Sequence, residues 1–143
     1  MIKRIIAGGA LLGLSGAALA QEGSELRFET AMQCGVANAY ILGTISDDPD
    51  AMAEPDAAEI VANYEAEADG WFTIAQFLPD AQDGTDFDAM VVAKTNALRA
   101  EVEGLESEDE VAARLSTEVT RCAAIYDSNE AAIDAIFEAL PEE

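Results

Sequence analysis

Cys34 and Cys122 are the only cysteines in this chain, and they stand 88 residues apart. If they pair, most of the chain closes into one loop, and the elements between them must return to a common point. Disulfides persist in oxidising compartments and are rare in the cytoplasm, so the address of the chain decides the matter. The first twenty residues supply that address. Lys3 and Arg4 open it, an uncharged run rich in Leu, Ile, Ala and Gly follows from Ile5 to Ala20, and Ala18-Leu19-Ala20 ends it just before Gln21. A positive start, an apolar middle and a small-x-small exit make a secretory signal peptide. A spanning helix needs about 20 apolar residues, and this run is shorter and carries Gly8, Gly9 and Gly13. Cleavage after Ala20 is therefore expected, with the product periplasmic or secreted. There, two thiols read as one structural disulfide; two free buried thiols on helices that never meet are the alternative. No CxxC motif supports redox chemistry, and no CxxCH motif supports haem attachment.

Removing residues 1–20 from the 143 leaves a single domain, residues 21–143, large enough to bury a core without a metal. All 29 acidic residues remain, against five basic ones: Arg27, Lys94, Arg99, Arg114 and Arg121. The mature net charge is −24. Such a field disfavours nucleic acid and anionic lipid, and it attracts cations or a basic partner. Solubility alone is the blander reading. The acids are mixed with Ala, Val, Ile and Leu, unlike a disordered acidic tail. The chain has no histidine, which removes the commonest general base, the usual zinc ligand and any charge switch near neutral pH. Histidine-dependent triads are impossible. Catalysis by carboxylates alone remains open, but the glycosidases that use it rely on aromatic-lined clefts, and this chain has one Trp. The longest apolar run after Gln21, Trp71 to Leu78, is too short to cross a membrane.

Helical spacing dominates the mature chain. Ser24 reads as an N-cap, followed by an amphipathic stripe of Phe28, Met32, Val36, Ala39 and Leu42 that ends near Gly43. Gly35, inside it, invites a close neighbour. Ser46-Asp47-Asp48-Pro49-Asp50 reads as a loop. Pro55 suits the first turn of a second helix bearing Ile60, Val61, Tyr64 and Ala68. Gly70 either ends this helix or passes it into residues 71–78. That segment has strand-like content too, but no second strand candidate exists to pair with it, so helix is favoured. After the loop Asp80 to Gly84, Thr85 opens a third helix bearing Phe87, Val91, Lys94, Leu98, Val102 and Leu105, closed by Gly104. Ser107-Glu108-Asp109-Glu110 is a capping box with three acids at the positive end of a helix dipole. Val111, Leu115, Val119, Cys122 and Tyr126 share one face beyond it. Asp127-Ser128-Asn129 predicts a break before a short last helix. The expected fold is all-α, a bundle of four to six helices with its first and fourth long helices clipped by Cys34–Cys122.

Few constellations carry chemistry. Asp80, Asp83, Asp86 and Asp88 around Gly84 invite a calcium reading, because hard cations take several oxygens from a short loop. Alignment on the required Gly puts Pro79 and Ala81 at the first and third ligand positions, so an EF-hand fails and a solvated loop that caps the next helix is preferred. No metal or other cofactor is expected. Tyr64, Trp71, Phe72, Phe77 and Tyr126 read as core before ligand pocket, and Arg121 as the partner of a nearby acid before an anion site. Glu65, Glu67 and Asp69 crowd one helix too closely to form an acid/base pair.

A signal peptide, a small helical body and one disulfide together resemble the format of periplasmic acid-stress chaperones; no motif carries the likeness. The reading that fits best is a non-enzymatic exported binding or accessory module that engages a protein through a helical face. An acid-stress chaperone and a cation-binding or buffering protein are the alternatives.

Overall fold

The structure, a computed structural model, describes residues 25–81 and 86–141. The cleavage region, Ser24, Asp83, Gly84 and Thr85 lie outside the described residues. Within them the chain is all-α, with five helices: α1 (Phe28–Ser46), α2 (Pro49–Met52), α3 (Ala57–Phe77), α4 (Phe87–Glu103) and α5 (Glu108–Glu138).

The first helix is the axis of the bundle. Its nineteen residues include one charge, Glu29, and five consecutive positions from Cys34 to Asn38 are buried. A helix apolar on all sides belongs inside, and α1 packs against each of the other helices. This corrects the expected one-sided stripe. Ala39 and Leu42 are only half-buried, whereas Ala31, Cys34 and Ala37 are enclosed. The helix also passes Gly43 to Ser46, because Ile45 is buried in the second core cluster. Its N-cap is Arg27, three residues beyond Ser24.

Antiparallel pairing of α1 with α3 follows from two contacts. Phe28 meets Asp80 at one end, and further along the Phe72 ring lies against Gly35. A Cβ on Gly35 would sit 2.5 Å from two atoms of that ring. The glycine thus permits the close approach its position invited. Gly70 does not interrupt α3, and residues 71–77 are helical. The helix starts at Ala57 with Asp56 as its N-cap, so Pro55 precedes the first turn rather than sitting in it.

Two core clusters follow the axis. One gathers Phe28, Met32, Cys34, Trp71, Ile74, Cys122, Ile125 and Ile133. The other holds Ile41, Ile45, Val102 and Leu115. Phe87 and Met90 pack on the first and Leu98 on the second, so α4 runs parallel to α1. Leu115 and Ile133 place α5 antiparallel. The long helices therefore run up, down, up, down. The disulfide joins α1 to α5, with Cα atoms 5.6 Å apart and both cysteines buried.

One local reading is revised. Pro49 opens a short helix rather than standing in a loop, with Asp48 as N-cap accepting from Asp50 N and Ala51 N. The break expected at residues 127–129 is present: Glu108–Glu138 is two helical stretches that meet at a kink. Asn129 leaves helical backbone (φ −127°, ψ 16°), and its Nδ2 donates to Ile125 O at 2.8 Å. Such a side-chain bond competes with the helical ladder and bends it. The Ser107 capping box stands as read, with Ser107 Oγ accepting from Glu110 N and Glu110 Oε2 from Ser107 N.

Candidate functional site

Parallel helices α3 and α5 flank a groove of about 360 Å³. On α3, Tyr64, Glu67 and Trp71 fall three and four residues apart, which places them on one face. On α5, Val119, Cys122, Ala123 and Tyr126 repeat that spacing, with Asp127 beside them. The Trp71 and Tyr126 rings meet edge to face across the groove, their centroids 6.3 Å apart at 83°. Asn38 enters from α1, and Asn63 completes the α3 side.

Asn38 is a buried side-chain amide in an otherwise apolar stretch of helix, 3% exposed. Its Nδ2 donates to Cys34 O, one turn back, at 2.9 Å. Among the described residues no donor reaches its Oδ1, which leaves an acceptor available in the groove that Asn38 lines. Burial pushes the Tyr64 hydroxyl above its ordinary pKa, so it stays protonated and able to donate. Glu67 and Asp127 are exposed at the groove and have no ion pair with any described residue. The lining offers aromatic surface, amides, hydroxyls and carboxylates, and no positive charge.

A second groove, between α1, α4 and α5, contains Lys94, Arg114 and Arg121, and its charges are matched internally. Arg114 donates to Glu101 through Nε (2.6 Å) and Nη2 (3.3 Å), and to Glu118 through Nη1 (3.0 Å). Arg121 continues the chain to Glu118 and to Gln33 Oε1 at 2.9 Å, while Lys94 pairs with Glu29. The hydrogen bonds from Arg114 hold the Glu101 carboxyl below its usual range, and the same contact raises Arg114. Arg121 accordingly pairs with an acid, as its sequence context implied. This network clips α4 and α5 onto α1.

The acidic loop before α4 is engaged with backbone. Both Asp80 oxygens accept from Phe28 N, and Asp86 Oδ1 accepts from Ala89 N at 3.0 Å. Asp88 stands exposed in the first turn of α4. Asp83 lies outside the described residues, within which no metal-ligating group of three or more side chains gathers. Of the aromatics, Trp71 is core and groove wall at once. Phe72 packs between Gly35 and the Phe87 ring, whose centroid is 5.9 Å away, and Phe77 is 53% exposed. Sequence reasoning missed Asn38, Asn63 and Asp127. For Asn38 the available signal was a lone amide in a long uncharged helix. No helix among the described residues is long and apolar enough to cross a membrane.

No family model, curated protein or solved structure matches this chain.

Proposed function

We propose that this chain is an exported, non-enzymatic binding protein that engages a protein partner through the α3–α5 face. The observation that carries the reading is the groove, where Tyr64 and Tyr126 flank the buried Trp71 beside the exposed carboxylates of Glu67 and Asp127. Tyrosine and tryptophan recur at the energetic centres of interfaces because each offers a large rigid surface with a polar handle. The disulfide fits an oxidising compartment, which agrees with the signal-like N-terminus. Intact mass of the exported protein tests the processing step: it should lack residues 1–20.

The binding step is tested by capture. Disulfide-bonded residues 21–143 should retain a stoichiometric partner from an extract of the source cells' exported proteins, and Tyr126→Asp should not. Tyr126 is 37% exposed, so the variant is expected to fold. Equal retention by both proteins, or by neither, overturns the reading.

One observation favours a second reading. The Glu101–Arg114 clip depends on an ionised carboxylate, so acid weakens the attachment of α4 to α5. An acid-stress chaperone would use such a release, and acid-dependent melting separates the two readings.

A further inference from the structure

We infer that the α3–α5 groove receives an arginine side chain from a basic segment of a partner protein. The inference rests on the binding-module reading and narrows it to one occupant.

Charge singles out this groove. The second groove has Lys94, Arg114 and Arg121 among its acids, and the third has Arg99 beside Asp47 and Asp48. In the second, the charges are neutralised from within. The α3–α5 groove has two carboxylates, Glu67 and Asp127, and no basic residue. The free acceptor of Asn38, a residue 97% buried by its 3% exposure, adds a third electron-rich group to the same space. All three are acceptors, and a cationic donor complements them best.

The aromatic lining selects the kind of cation. Tyr126, 37% exposed, and the half-buried Tyr64 offer ring surface above the buried Trp71, and a cation over such a ring gains from its quadrupole. A guanidinium is planar, stacks on rings and carries five donors in a fork, whereas an ammonium is a compact and strongly hydrated point charge. Stacking plus a carboxylate on each wall therefore suits arginine. The groove is open to solvent along one side rather than an enclosed cavity, whereas small-molecule sites bury most of their ligand. An occupant anchored from outside, a side chain on another protein, fits that shape. The mature charge of −24 supplies long-range attraction for a basic surface.

The test uses Trp71, the single tryptophan, as the reporter. The disulfide-bonded mature protein is titrated at fixed ionic strength with a short blocked peptide containing arginine, and with the same peptide containing citrulline. A saturable change in Trp71 emission is expected for the arginine peptide, and none for the citrulline one. Glu67→Gln with Asp127→Asn, both at exposed positions, should weaken binding by about tenfold or more. Asp88→Asn with Glu103→Gln removes the same charge from α4 and should leave affinity nearly unchanged. Absence of saturation overturns the inference, as does equal loss in both double variants, which would mean diffuse attraction. Spermidine binding as tightly as the peptide would make this a small-cation site and overturn the protein occupant. A partner captured as above with no arginine response would sink this inference while leaving the binding-module reading standing.

Discussion

Asp80 holds the start of α1 from 52 residues down the chain: both of its carboxylate oxygens accept from the Phe28 backbone N–H, at 3.0 and 3.1 Å. The first amides of a helix have no partners within it, and its N-terminus favours negative charge. A side chain beyond the end of α3 thus completes the central helix. Asp80→Ala should destabilise the protein by about 1 kcal/mol, the usual worth of such a cap. Asp80→Asn, which keeps an acceptor, should lose less. Urea unfolding of both variants checks this, and equal losses would exclude a charge contribution.

Gly35 on α1 and Phe72 on α3 approach so closely that a Cβ on the glycine would collide with the ring. Gly35→Ala should cost about 1–3 kcal/mol, the range for overpacking a filled core, despite alanine's better helix propensity. In a Phe72→Ala background the same substitution should be neutral or stabilising. A double-mutant cycle reads the coupling. Additive effects would mean that the ring moves aside without cost.

The Cys34–Cys122 bridge closes a loop of 88 residues. Chain entropy assigns such a loop about 4–5 kcal/mol. Cys34→Ala with Cys122→Ala should lower unfolding free energy by that order, with the helical circular dichroism retained at low temperature. A loss below about 1 kcal/mol would show that helix packing alone holds α5 in place.

Two electrostatic effects oppose each other in acid. The chain has 29 acids against seven bases, and protonation relieves their mutual repulsion, so mild acid should raise the melting temperature. Glu101 works the other way. Its pKa is lowered in the fold by the hydrogen bonds from Arg114. Its stabilising contribution is therefore complete above the unfolded value of about 4.3 and is lost as pH falls through the folded value. The melting temperature should rise from pH 7 to about pH 4. The gap between wild type and Glu101→Gln should close below that. A lower melting temperature at pH 4 with new dye-accessible apolar surface would favour the chaperone reading.

Elements whose signals are local were legible in the sequence. The Ser107–Glu110 box, the termination at Gly104 and the helical spacing of Leu115, Val119 and Cys122 need only nearby residues, because helix caps and periodicity act within a turn or two. The all-α class followed from them. The disulfide followed from two cysteines and an expected oxidising compartment.

Tertiary structure decided what depends on residues far apart in the chain. No local pattern tells Asp80 to cap Phe28 rather than the helix that follows it. No periodicity makes α1 an axis, since a helix with one charge in nineteen residues looks one-sided until neighbours cover its other faces. The groove arises the same way. Asn38, Glu67 and Asp127 lie on three helices, and each reads alone as an ordinary helical residue. Only the packing of α3 and α5 against α1 brings them together, because contact between distant segments is set by how faces fit rather than by the sequence at any one of them.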